Sequence, residues 1–236
     1  MMSASIEAAA PVVEITPEFK NAVRLQQSLL TRAERKCLAW LAERMPARVN
    51  SDHLTLLGFA AMFLAGVCYV AARWQPGALL LVNVMLAVNW FGDSLDGTLA
   101  RARNKLRPRY GFYVDHIVDA FGILFLMCGL AASGYMSLTV ALGVLCVYFL
   151  LSIDVYLATY TLGTFKMSFY KLGPTELRIL LAIGNIKAMV GPTVRVFGER
   201  HLFFDVGAVV VMVLLGVVVI VSAIGNTRTL YRAEKV

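Results

Sequence analysis

Six long apolar stretches organise the chain, at about 54–74, 78–100, 111–133, 136–161, 175–195 and 203–225. Each is long enough to cross the roughly 30 Å hydrocarbon core of a bilayer as a helix, which takes about 20 residues. The fifth is the least regular, because Arg178, Asn185 and Lys187 interrupt it. The pattern predicts an all-α integral membrane protein with six transmembrane helices. Before the first span, Phe19, Val23, Leu29, Leu30, Leu38, Leu41 and Met45 alternate with charged residues. Thr31-Arg32-Ala33-Glu34 fits a capping box, so a helix is expected to restart there, run to about Arg44 and stop at Pro46. Its mixed character suits an amphipathic helix on the cytoplasmic interface, serving either as an anchor or in substrate access. The expected organisation is a disordered tail over 1–16, a juxtamembrane amphipathic region over 17–50, a membrane domain over 51–228 and a cytoplasmic tail over 229–236. The first fifteen residues lack the basic start and apolar core of a cleavable signal peptide.

Charge adds an orientation. Of the 236 residues 59% are hydrophobic, yet Lys and Arg exceed Asp and Glu by 22 to 15, a net charge of +7. The basic residues sort by loop. Lys20, Arg24, Arg32, Arg35, Lys36, Arg44 and Arg48 precede the first span, and Arg101, Arg103, Lys105, Arg107 and Arg109 join the second to the third. Lys166 and Lys171 follow the fourth, and Arg228, Arg232 and Lys235 close the chain. Mainly Arg73, Arg195 and Arg200 fall on the other side. Positive charge favours the cytoplasm, so both termini are expected inside a cell (inner) membrane. The basic residues are juxtamembrane and lack interleaved aromatics, which argues against nucleic acid as a partner. Cys37, Cys68, Cys128 and Cys146 have no metal-like spacing and read as reduced, mostly buried residues.

The chemistry concentrates where spans two and three meet the basic loop. Asp93, Asp96, Gly97 and Ala100 step by three and four and share a helical face; Gly111, Asp115 and Asp119 step by four and share another. A carboxylate at a helix centre in a bilayer costs about 2.5–3.5 kcal/mol even on lenient scales, so such residues are functional by default. Hard divalent cations with oxygen ligands match this donor set. Small residues on both faces leave room for a ligand or a second backbone. His116 falls on a different face from Asp115 and reads as a local hydrogen bonder, and Asn83 and Asn89 read as interhelical hydrogen bonders.

This pattern resembles the signature of the CDP-alcohol phosphotransferase (phosphatidyltransferase) family, D-x-x-D-G-x-x-A-R-x(about 8)-G-x-x-x-D-x-x-x-D. Asp93, Asp96, Gly97, Ala100, Arg101, Gly111, Asp115 and Asp119 fill every fixed position. The resemblance implies a homodimeric enzyme of phospholipid synthesis. A CDP-linked donor would pass a substituted phosphate to an alcohol acceptor, lipid or polar, and release CMP at the cytoplasmic face. It implies Mg²⁺ or Mn²⁺, two ions, held by Asp93, Asp96 and Asp115, with Asp119 as general base near a metal. Gly97 and Ala100 would leave room for the nucleotide, Gly111 would lie on the substrate side, and Arg101 would either pair with a phosphate or act as a topology charge.

Acceptor recognition has candidates in Asp154, Tyr156, Thr159 and Tyr160 of span four and in Lys166, Lys171, Glu176, Arg178 and Lys187 after it. Convergent basic residues would favour a phosphorylated acceptor, and an exposed Glu176 a cationic head group. Glu176 could equally complement the start of a helix at Pro174. Many family members carry Pro-Asn-x-x-Thr before the first span. Here Thr55 matches and Asp52 stands where Asn is usual, which suits a helix cap. A divalent-cation transporter is the competing class, since it also needs intramembrane carboxylates. It would be expected to show broken helices or inverted repeats around a midplane site.

Overall fold

A computed structural model describes residues 23–25, 31–166 and 173–234. The expected disordered tail over 1–16, Phe19, Leu29, Leu30, Lys171 and Lys235 lie outside the described residues, as do the side chains of Val23 and Lys166. The described residues form seven helices: α1 Thr31–Arg44, α2 Ser51–Ala72, α3 Ala78–Ala102, α4 Pro108–Ser133, α5 Leu138–Leu162, α6 Pro174–Val190 and α7 Phe203–Ala233. Two short ladders accompany them. Strands β1 Val23–Leu25 and β2 Thr164–Lys166 pair in parallel, and β3 Thr193–Val196 and β4 Glu199–Leu202 form an antiparallel hairpin. The protein is an all-α integral membrane protein.

Local chemistry fixes the helix ends. Pro108 and Pro174 open α4 and α6, where a missing N–H does no harm. Gly134 and Gly163 close α4 and α5 in the left-handed conformation, with φ of 83° and 66°. Ser137 caps α5 by accepting from the Val140 amide at 3.4 Å.

Five helices, α2 to α5 and α7, are long and apolar enough to cross a membrane. The expected fifth span differs. It stops at Val190, because Gly191 and Pro192 break it and the Lys187 ammonium covers the Gly191 carbonyl at 3.1 Å. The β3–β4 hairpin, turning through Phe197 and Gly198 at positive φ, takes the residues expected to extend that span to 195. The 17 residues of α6 rise only about 25 Å.

A second helix continues along α3 beyond the first turn of α6. α6 meets α3 from Asn83, whose amide donates to the Ala182 carbonyl at 3.1 Å, to Asp93, which pairs with Arg178. From Trp90 onward α1 lies along α3 in its place. The Trp90 indole donates to Glu34 at 2.8 Å near the start of α1, and the Arg103 guanidinium donates to the carbonyls of Met45, Pro46 and Val49 beyond its end. Between these pins Leu38 and Ala42 bury against Leu54, Leu95 and Leu99. The basic loop residue Arg103 is therefore a clamp on the α1–α2 connection.

Glycine lets the central helices touch. A Cβ on Gly92 would stand 2.5 Å from the Leu54 carbonyl of α2, and one on Gly129 would collide with the Gly66 backbone. Around these contacts Tyr69, Leu79, Val82, Leu126 and Leu130 are fully or almost fully buried. α5 and α7 pair beside this core. The Asp205 carboxylate accepts from the Ser137 amide at 2.8 Å, and Asp154 accepts from Ser222 at 2.5 Å. Leu150, Ile153, Val213 and Ile220 point outward on these helices, as suits a solvent as apolar as leucine. Cys128 and Cys146 are exposed on spanning helices for the same reason, and Cys37 of α1 is exposed too, so these three are not buried as expected; all four cysteines are free.

The contact at Gly129 sets a direct test of this packing. Gly129→Ala should lower the melting temperature of the detergent-solubilised protein by the equivalent of about 1–3 kcal/mol, as overpacking does. Gly207→Ala, whose Cβ meets nothing within 4 Å, should melt like the parent. Equal melting of the two variants would remove the close α2–α4 approach.

Candidate active site

Three of the four aspartates converge. Asp93 comes from α3, Asp115 and Asp119 from successive turns of α4, and each offers an oxygen within 4.8 Å of the others. The fourth, Asp96, turns to α2. One of its oxygens accepts from the Thr55 hydroxyl at 2.6 Å, and the other accepts from the Gly97 amide. Thr55 thus has a definite contact, which its place in the Pro-Asn-x-x-Thr pattern marked without explaining. Asp52 does not cap α2, since Asn50 is the N-cap; it pairs with Arg107, whose guanidinium also lies over the Tyr110 ring at 4.1 Å.

Arg178 brings one positive charge to this cluster. Its Nη2 donates to Asp93 at 2.5 Å and its Nε donates to Asn89 at 2.8 Å. Asn89 is buried and in turn donates to the Gly58 carbonyl at 3.0 Å. Asn83 accepts from Asn185 at 2.7 Å, and Asn185 accepts from Tyr69 at 2.8 Å, so both span-two asparagines bridge helices. The donor set of Asp93, Asp115 and Asp119 is all oxygen and anionic, which suits a hard divalent cation.

The glycines separate into two kinds. Gly58, Gly66, Gly92 and Gly129 face neighbouring backbone or side chains at contact distance or closer. Gly97 and Gly111 meet no neighbouring helix within 4 Å. A Cβ on Gly97 would meet only the Arg101 guanidinium, at 3.7 and 4.0 Å, and one on Gly111 would meet nothing within 4 Å. Arg101 donates to Thr98 at 3.2 Å, so its head group lies along the α3 face that carries Gly97. Ala100 lies one turn beyond Gly97 on that helix and is half-buried.

The acceptor candidates scatter. Asp154 faces α7, Thr159 bonds to the Val155 carbonyl of its own helix at 2.7 Å, and Tyr160 is exposed. Tyr156 does face the carboxylate helix, packing on His116 at 5.0 Å between ring centroids. His116 holds a 2.5 Å contact with the Phe112 carbonyl within α4. Glu176 is buried, and its carboxylate accepts from the Gly173 amide at 2.9 Å as a cap of α6, so it is not an exposed partner for a cationic head group. Lys187 sits at the far end of α6 from Arg178.

This site lies within a recognisable sequence pattern, for the profile of CDP-alcohol phosphatidyltransferases matches residues 49–224. The chain belongs to that family. Among curated relatives, an archaetidylinositol phosphate synthase of Pyrococcus horikoshii is 30% identical over 86 residues, 36% of this chain and 43% of that protein. One of Methanothermobacter thermautotrophicus is 31% identical over 93 residues, 39% of this chain and 44% of that protein. The chain thus matches less than half the length of either relative. The family assignment accounts for the continuous run of α3 and α4 through the carboxylates, where a transporter would be expected to break its helices.

The bond from Thr55 to Asp96 is charge-assisted, a class that contributes about 1.5–3 kcal/mol. Thr55→Val should lower stability by that order and Thr55→Ser should restore most of it, read as thermal melting in detergent. A Thr55→Val protein as stable as the parent would mean that Asp96 is held by its own backbone alone.

Proposed function

We propose that this protein transfers a substituted phosphate from a CDP-linked donor to an alcohol hydroxyl and releases CMP, in phospholipid synthesis. The observation that carries this reading is the convergence of Asp93, Asp115 and Asp119 beside two helix faces opened by Gly97 and Gly111. A diphosphate needs both a carboxylate-bound cation and room against backbone, and the site offers the two together. The relatives' name favours a phosphorylated inositol as the acceptor and a CDP-linked lipid as the donor.

Asp93, Asp115 and Asp119, with Asp96 one turn along α3, are the residues to hold Mg²⁺ or Mn²⁺. Bound there, two such ions would neutralise the diphosphate and stabilise charge on the departing CMP. The acceptor oxygen attacks the phosphorus that carries the substituent, and the bond from that phosphorus to the CMP oxygen breaks. Asp119 takes the hydroxyl proton. Arg101 pairs with a donor phosphate over Gly97, and Thr55 keeps Asp96 oriented. Phosphoryl-type transfer draws mainly on positioning and charge, and these side chains supply both. Basic residues crowd the α3–α4 loop, which supports a site facing the cytoplasm.

Purified protein should release CMP from CDP-diacylglycerol with inositol phosphate only when Mg²⁺ or Mn²⁺ is present. Asp93→Asn, Asp96→Asn, Asp115→Asn and Asp119→Asn should each lower kcat/KM by about 10²-fold or more. Asp119→Asn should lower kcat more than it weakens donor affinity, since a base works on the transition state. Metal-independent release, or an active Asp119→Asn, would refute the mechanism.

Orientation is checked separately in intact cells. An engineered cysteine near Ser133–Tyr135 should react with an impermeant maleimide added outside, and one at Asn104 should not. The opposite pattern would turn the site to the other face.

A further inference from the structure

Glu34 occupies an unusual junction. A single carboxylate oxygen accepts from the Trp90 indole of α3 at 2.8 Å and from the Thr175 hydroxyl of α6 at 2.7 Å. Both donors stand three residues from the groups that meet in the site. Trp90 precedes Asp93 on α3, and Thr175 precedes Arg178 on α6. Three residues is close to one helical turn, so each donor shares a face with its partner in the site. The first turn of α6 is where Arg178 is carried. Within that turn the Glu176 carboxylate also accepts from the Gly173 amide at 2.9 Å, the capping box of the helix. The Glu34–Thr175 bond joins that turn to α1, and α1 is itself locked to α3 by Arg103 and by the packing of Leu38 and Ala42.

We infer that Glu34 is a positioning residue: it fixes the first turn of α6 against α3 so that Arg178 stays on Asp93, and through Arg178 it sets how strongly the carboxylate cluster attracts a divalent cation. This deepens the proposed reading of the site and rests on its cation-binding role. The physical link is charge. A guanidinium 2.5 Å from the Asp93 carboxylate competes with any cation for that oxygen and repels it. Loosening the turn lets Arg178 leave Asp93 for part of the time and lowers the repulsion. The helix α1 is then part of the site's electrostatics.

The test is Mn²⁺ titration of the purified full-length protein without substrate, followed by the electron paramagnetic resonance of free Mn²⁺. Arg178→Gln should tighten Mn²⁺ binding by about tenfold. Glu34→Ala and Thr175→Val should each tighten it in the same direction by a smaller factor. Glu34→Gln keeps an acceptor oxygen and loses the charge, so it should bind like the parent. The deciding variant is Glu34→Ala combined with Arg178→Gln, which should match Arg178→Gln alone. An effect of Glu34→Ala that persists undiminished without Arg178, or no effect of Glu34→Ala in the parent, overturns the inference; so does a Glu34→Gln protein that behaves like Glu34→Ala, because charge and not the bond would then be responsible. Thermal melting of each variant separates unfolding from this coupling. Intact coupling in a protein that releases no CMP would refute the proposed transfer reaction and leave the role of Glu34 standing.

Discussion

The fold is organised by the need to keep four carboxylates inside helices that are otherwise apolar. A charged group in that setting demands partners, and the structure supplies a different kind for each position. Asp96 receives a hydroxyl and a backbone amide. Asp93 receives a guanidinium that is itself steered by a buried asparagine. Asp93, Asp115 and Asp119 are left close together, where mutual repulsion makes a cation the natural complement. Such proximity requires helices that approach closely, and the glycine contacts of α2 with α3 and α4 provide it.

The same economy of polar contacts explains the shape of α6. It is too short to match its neighbours, yet it carries Asn185 into a chain of hydrogen bonds with Tyr69 and Asn83, and Arg178 into the carboxylates. Measured interhelical hydrogen bonds in membranes average only about 0.6 kcal/mol. Their combined effect here is register more than stability: each fixes which residues of α6 face which residues of α3. The stretch of α3 that α6 leaves uncovered is taken by α1, which is why an amphipathic segment outside the long spans ends beside the first turn of a helix in the core.

Much of this was legible in the sequence. Apolar length marked α2 to α5 within about three residues, since hydrophobic thickness leaves little freedom, whereas α7 runs on from the expected end at 225 to Ala233. The three- and four-residue steps of Asp93, Asp96, Asp115 and Asp119 marked two faces, and three of the four carboxylates meet where those faces approach. What the sequence could not separate was glycine from glycine. Gly92 and Gly97 look alike in a helical run, but one meets a backbone and the other an open face, a distinction set by the partner helix. Charged residues were misleading for a related reason. Asp154 looked available to a substrate, yet it clasps α7; Glu176 was open to two readings, substrate contact or helix start, and it caps its own helix. The roles of Thr55 and Glu34 depend on contacts across 41, 56 and 141 positions of chain, which no local periodicity encodes. The hairpin after α6 follows from Gly191, Pro192 and Gly198, turn residues that hydropathy averages away.

The central claim is that the convergent carboxylates form a cation site on which the folded helices rely. The most direct measurement is the melting temperature of the detergent-solubilised protein in chelator and in saturating Mg²⁺. A ligand at 100 times its dissociation constant stabilises the native state by about 2.7 kcal/mol. The parent should therefore melt several degrees higher in Mg²⁺, and replacing Asp93, Asp115 and Asp119 together by Asn should abolish that rise. A parent protein that melts identically with and without the ion, or a triple variant that keeps the full rise, would contradict the account.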